Sequence, residues 1–314
     1  MKKAIRNAYG ETLLKLGATN KNIVVLDADV SSSTKSGLFG AKYPERFFNV
    51  GVAEANMAGM AAGLASCGMI PFINTFAAFM VLRAADPIRT LGCYGGANIK
   101  IAGAYAGLSD SYDGATHHSI DDISFMRALP GMTVISVADA IEAEKAVEAA
   151  VEIQGPVYLR LSRAAHPYIY DENYKFELGK GVVLREGNDI TLIATGYMVS
   201  KALEAADKLE NEGISARIVN IHTIKPIDRE LIIKCAKETG LLVTIEEHSI
   251  YGGLGSAVTE VVCSRCPVPV EVIGIDDTFA ESGDYEKLLH KYGLSSEAIT
   301  NRIVSFINKF NDVR

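Results

Sequence analysis

Apolar residues fall along this chain in short continuous runs separated by longer stretches with helical spacing. Runs at 23–26, 47–50, 72–73, 99–102, 133–137 and 157–161 predict strands. Between them, 55–65, 76–91, 121–129 and 139–153 carry the apolar period of amphipathic or buried helices. From 164 to 188 the period lapses into an aromatic and polar stretch. Alternation then resumes, with strands expected at 191–194, 217–221, 241–245 and 270–275. Helices are expected at 199–211, 228–238, 254–263 and 284–292, and a final amphipathic stretch at 295–310. Strands that alternate with helices indicate crossover units and mostly parallel sheets. The expectation is therefore an α/β chain of two doubly wound domains, 1–165 and 189–314, joined by a linker at 166–188.

Composition narrows the picture. With 48% apolar and 22% charged residues, the chain is not a disordered one. The balance of 31 basic and 38 acidic residues, 31 − 38 = −7, gives no bulk attraction for nucleic acid. Residues 56–82 carry no formal charge, but Gly68, Pro71, Asn74 and Thr75 interrupt the run before it reaches the roughly 18 residues of a membrane span. A buried helix, strand and helix is the expectation there, and the chain is expected to be cytoplasmic, since its first residues lack the apolar core of a signal peptide. The odd count of five cysteines also suits reduced thiols. Cys263 and Cys266 form a lone C-x-x-C without a second ligand pair, so no metal site is expected.

Five stretches could carry chemistry. Glu54 sits where the strand ending Phe48-Asn-Val gives way to a helix, at the carboxyl edge of a sheet where open α/β folds bind ligands. A carboxylate in a first helical turn can equally be there for the dipole alone. Phe76 and Phe79, three apart, share a helix face and could be core or could wall a flat ligand. The loop from Tyr105 to His118 follows a predicted strand, turns at Gly107 and Gly114, and is dense in Asp, His and Tyr, as an active-site loop would be. Arg6, Arg160 and Arg163 are scattered basic residues of a kind that recognises phosphate. Finally, Glu246-Glu247-His248 runs into Gly252-Gly-Leu-Gly255, a glycine-rich turn that does not match the dinucleotide fingerprint.

Together these stretches resemble the C-terminal half of transketolase, and more closely the separate C-terminal subunit of a split transketolase. The motifs that carry the resemblance are Asn49-Val-Gly-Val-Ala-Glu54, Asn74-Thr-Phe76 through Phe79, Asp113-Gly-Ala-Thr-His117, Leu161-Ser-Arg163 and Asn220-Ile-His-Thr-Ile-Lys-Pro226. The resemblance implies a pyrimidine-binding domain followed by a transketolase C-terminal domain. It implies thiamine diphosphate as cofactor, with Glu54 on the aminopyrimidine nitrogen and Phe76 and Phe79 packed on that ring. Asp113 and His117 would contact sugar hydroxyls and the reaction centre. Arg6, Ser33 and Arg163 would hold the phosphate end, with Asp29 near the entrance. The reaction implied is transfer of a two-carbon ketol unit from a ketose phosphate to an aldose phosphate, as in the pentose phosphate pathway.

Three positions depart from the family pattern. Tyr105 stands where a histidine is common, Tyr112 where glutamate is usual, and Leu82 where a third aromatic is expected. These departures bear on the sugar rather than on the cofactor. The Gly-Asp-Gly that marks a diphosphate and Mg2+ site is missing from the chain. The resemblance therefore implies an N-terminal partner subunit that holds the diphosphate and metal, in an assembly of two copies of each chain built on a homodimer core. Other readings are the β subunit of a 2-oxo acid dehydrogenase, a deoxyxylulose phosphate synthase-like half, and a non-catalytic α/β scaffold subunit.

Overall fold

The computed structural model describes residues 2–311. Its first sheet has seven strands in the order Thr223–Lys225, Thr133–Ser136, Val157–Leu161, Lys100–Ala104, Ile70–Phe76, Ile23–Asp27 and Phe47–Asn49. All pairings are parallel except that of Thr223–Lys225. The inner strands Ile23–Asp27, Lys100–Ala104 and Val157–Leu161 are buried along their whole length. This is the signature of a parallel sheet covered on both faces, and it is why these strands read as unbroken apolar runs. Helices Ile5–Thr19 and Ala140–Glu152 pack together on one face, and Glu54–Ser66 and Asp122–Ala128 cover the other.

The second sheet has five strands in the order Val270–Ile275, Leu242–Ser249, Ile190–Ala194, Ala216–Asn220 and Val182–Arg185, the last antiparallel. Helices Met198–Asn211 and Ser296–Asn311 pack on one side, and Arg229–Thr239 and Leu254–Arg265 on the other. Two mostly parallel, helix-covered sheets are the α/β architecture expected. Among the described residues no helix is long and apolar enough to cross a membrane.

Several elements differ from the periodicity reading. The stretch 76–91 is not one helix. Phe76 ends a strand, helix Ala77–Arg83 follows, and after a break at Ala84 a short α-helical segment, Ala85–Pro87, runs into a π-helical one, Ile88–Tyr94. Within 164–188 the chain forms two short strands, Ala165–Pro167 beside Lys2–Ala4 and the sheet-edge Val182–Arg185. Helix Ile5–Thr19 was invisible to the apolar period because Gly10 and Gly17 interrupt its buried stripe. A Cβ at Gly10 would lie 2.6 Å from Lys35, and one at Gly17 2.4 Å from the Phe39 ring.

The Asn220–Pro226 motif closes the first sheet from the second half of the chain. Thr223–Lys225 adds its outermost strand, the Asn220 amide donates to Glu142 at 2.9 Å, and the Lys225 ammonium donates to the carbonyl of Arg127 at 2.9 Å. It is an architectural motif that ties the two sheets together.

Candidate functional site

The carboxyl ends of the first sheet's strands deliver the candidates to one rim. Phe76 ends one strand, Tyr105 follows another, and Arg163 follows a third, while Asp27 and Asn49 end two more. The long connection after Lys100–Ala104 folds into a loop cinched by Gly107 and Ser119, which exchange backbone hydrogen bonds at 2.9 and 3.1 Å. Gly107 takes φ +66°, and a Cβ there would meet the Glu247 carboxyl at 2.5 Å. The loop is pinned from the second sheet by Glu247, which accepts from the Leu108 N–H at 2.7 Å. Burial pushes the Glu247 carboxyl up to about 7.

A continuous chain of contacts crosses this rim. The Arg163 guanidinium lies 5.2 Å from the centre of the Tyr105 ring, and that of Arg6 5.3 Å from it. Tyr105 packs against Phe76 at 4.4 Å between centroids, and Phe76 against Phe79 at 5.6 Å. His117 lies over both phenyl rings, at 6.1 and 5.1 Å. Arg83 stacks on Phe79 at 3.9 Å and donates to Glu54 at 2.8 Å. Glu54 is the first residue of its helix and 4% exposed, whereas the Arg83 side chain is 47% exposed.

The polar end is equally connected. Arg6 donates to the Ser33 carbonyl at 3.1 Å and to the Tyr105 hydroxyl, so Ser33 contributes its backbone and not its side chain. Arg163 pairs with Asp110 at 3.0 Å, and its backbone N–H donates to the Ser109 hydroxyl at 3.0 Å. Asp110 is wholly buried, and burial first, then the neighbouring Asp113, pushes its carboxyl up to about 6 against the pull of Arg163. His118 is buried, and desolvation lowers its pKa. Asp29 sits apart on the exposed rim, in a left-handed conformation at φ +65°, and accepts from the Asn49 amide at 2.8 Å.

The structure thus brings Arg6, Ser33, Phe76, Phe79, Glu54, His117 and Arg163 into one connected arrangement. Asp113 borders it and Asp29 stands at its edge. Arg160 is elsewhere. It is buried in an ion pair with Asp122 at 2.8 Å and braces the two domains through the Glu247 carbonyl. Sequence reasoning missed Arg83, and it placed Asp110 in the candidate loop without giving it a role. A signal for Arg83 was present, because Glu54 and Arg83 bracket the charge-free run that contains Phe76 and Phe79, and they pair with each other.

The rim fits a flat heterocycle with a ring nitrogen. A buried carboxylate answered, among the described residues, only by a half-exposed arginine is open to exchange for another donor, and two phenyl faces stand beside it. Among the described residues no group of three or more His, Cys, Asp and Glu is placed to hold a metal ion.

Residues 1–167 match the family "Transketolase, pyrimidine binding domain", and residues 179–299 match "Transketolase, C-terminal domain". The chain belongs to the transketolase family. Members of this family depend on thiamine diphosphate. A protein of Methanocaldococcus jannaschii described as a transketolase C-terminal section is 46% identical over 98% of this chain and 97% of its own length. A 6-deoxy-6-sulfo-D-fructose transketolase subunit of a Clostridium species is 42% identical over 94% of this chain and 92% of its own. Among solved structures, a split-gene transketolase described as an inactive β4 tetramer superposes with a TM-score of 0.90 at 46% identity, covering 98% of this chain and 99% of that one. The chain is thus a transketolase-type subunit corresponding to the C-terminal section.

Proposed function

We propose that this chain is the pyrimidine-side subunit of a transketolase that passes a two-carbon ketol unit from a ketose phosphate to an aldose phosphate, and that it works only with an N-terminal partner. The observation that carries this reading is Glu54: a buried carboxylate at a strand-to-helix junction, beside Phe76 and Phe79, whose sole ion-pair partner among the described residues is the half-exposed Arg83. When bound, thiamine diphosphate supplies an electron sink for cleavage of the ketose C–C bond. Glu54 holds the pyrimidine through its carboxyl group, and Phe76 and Phe79 support the ring face. His117, whose Nδ1 is engaged by the Thr116 hydroxyl at 3.0 Å, has Nε2 left to exchange a proton with a substrate oxygen. Asp113 orients sugar hydroxyls, Arg6, the Ser33 backbone and Arg163 hold the anionic end, and Asp29 guards the entrance.

The diphosphate and Mg2+ belong to the partner subunit, because this chain has no Gly-Asp-Gly. The surface beside Glu54 suits that partner. Met60, Leu82, Leu91 and Tyr94 are exposed on the helix Glu54–Ser66 and on elements that pack against it, and Val52 is exposed in the connection just before that helix. Exposed apolar side chains gathered in this way mark an association surface. The assembly we infer is two copies of each chain about a homodimer core, in the cytoplasm, where the free cysteines stay reduced.

Calorimetry tests the division of labour. The isolated chain should bind thiamine diphosphate with Mg2+ weakly or not at all, and ketol transfer should appear only on adding the partner. Tight, Mg-dependent binding by this chain alone would sink the proposal.

A further inference from the structure

On the ketol-transfer reading above, we propose that the anion end of this cleft selects a ketose ending in a singly charged tetrahedral oxyanion, a sulfonate ahead of a phosphate, and that Asp110 and Tyr105 set this choice. The argument is one of local charge. Arg6 has no carboxylate in ion-pair range among the described residues, and its Nε is buried without a partner. Arg163 already holds Asp110 at 3.0 Å. Two cations and one buried carboxylate leave a net charge of one. Asp113 beside Asp110 can only lower it, and burial disfavours a charge on His118.

A phosphate monoester brings about −1.5 to −2 charges at neutral pH, whereas a sulfonate brings one. Beyond Arg6 and Arg163, no cation among the described residues contacts Tyr105 or Asp110, so the second charge of a phosphate stands against the Asp110 carboxylate. Asp110 Oδ2 is buried without a hydrogen-bond partner, so no donor at that oxygen offsets the charge of the carboxylate.

Tyr105 supplies what a weakly charged group needs instead. Its hydroxyl oxygen accepts from Arg6, so its proton is free to donate, and no acceptor for it lies among the described residues. A phenol gives a hydrogen bond without adding charge. The residue is held in the left-handed region at φ +61°, strained for an aromatic side chain, with its ring against Phe76 and close to both guanidinium groups. Such strain is kept where the surrounding structure needs the side chain in one place.

The test is donor competition in the complex reconstituted with the partner subunit, using 6-deoxy-6-sulfo-D-fructose, D-fructose 6-phosphate and D-fructose with one acceptor aldose. The sulfonate should lead in kcat/KM. Tyr105→Phe should lower kcat/KM for the sulfonate about tenfold, through KM, the worth of one hydrogen bond to a charged group, and should lower it less for D-fructose. Asp110→Asn should turn the preference toward the phosphate. If that variant fails to fold, Tyr105→His at pH 6, which adds a cation, must raise the phosphate-to-sulfonate ratio. A wild-type preference for the phosphate, or a ratio unmoved by these substitutions, overturns the inference and leaves ketol transfer standing. Transfer from none of the three donors removes the ketol reading and this inference with it.

Discussion

Glu54 and Glu246 are two buried glutamates, one opening a helix at the rim of the first sheet and one within the strand Leu242–Ser249 of the second, and they meet opposite fates. Glu246, in the second sheet, accepts from the Leu254 and Gly255 N–H groups at 2.6 and 2.8 Å, so it caps the helix Leu254–Arg265. Glu54 begins its own helix, and the bond that answers its charge comes from a half-exposed arginine. The helix dipole favours a carboxylate in both places. What separates them is satisfaction: a carboxylate whose oxygens are taken by backbone donors is part of the scaffold, and one answered by a half-exposed side chain is available to a ligand. The neighbouring surfaces follow suit. Beside Glu246 the glycine-rich turn is packed tight, with a Cβ at Gly253 falling 2.0 Å from the Glu246 carboxyl. Beside Glu54, apolar side chains stand exposed.

The largest expected effect breaks this comparison at its open end. In the reconstituted complex, Glu54→Gln should lower kcat at least about 100-fold while the melting temperature and assembly stay near wild type. Steady-state rates and size-exclusion chromatography check this, and near wild-type turnover would move Glu54 into the scaffold class.

The closed end should respond in stability instead. Glu247, buried beside Glu246, has its folded-state pKa raised to about 7 by desolvation. The folded chain therefore holds a proton that the unfolded chain has already lost, and stability from this group is present at low pH and declines as pH rises from about 4.5 to about 7. Glu247→Gln should remove part of that decline, on the order of 2 kcal/mol. Urea unfolding at pH 5 and pH 8 reads it, and an unchanged slope would show that Glu247 titrates alike in both states.

Glu246→Ala removes the acceptor for two helix N–H groups and should cost about 2 kcal/mol, with kcat held within about twofold of wild type once folded. Thermal melts beside rates decide it. A large loss of kcat without loss of stability would put the second sheet's rim into the chemistry. The smallest effect sharpens the open end. Arg163→Ala should raise KM for anionic ketoses by about tenfold, and less for neutral ones, as initial-rate kinetics would register.

The strands were legible because parallel strands covered on both faces must be apolar throughout, and the runs at 23–26, 99–102 and 157–161 lie within or overlap the observed strands. The helix expected at 76–91 was wrong at its start for a local reason. Phe76 ends a strand in which Asn74 is buried mid-sheet, donating to the carbonyls of Leu26 and Phe72 and accepting from Tyr9. Polar residues in a buried strand carry no periodic signal. The candidate residues were legible as motifs, yet the bonds that distinguish Glu54 from Glu246 were not, since Glu54 bonds Arg83, 29 residues on, and Glu246 bonds Leu254 and Gly255, 8 and 9 residues on.

By itself the chain's order of apolar and polar residues determined two helix-covered parallel sheets and the rim on which the motifs would gather, because burial on both faces and crossover connections leave few alternatives. Only the tertiary structure decided that Arg83 answers Glu54 across 29 residues, that Asp110 cancels Arg163 across 53, and that Glu247 reaches over from the second sheet to hold the loop at Leu108 across 139. Those pairings join residues distant in the chain, and no periodicity records which distant charge will be brought within bonding range.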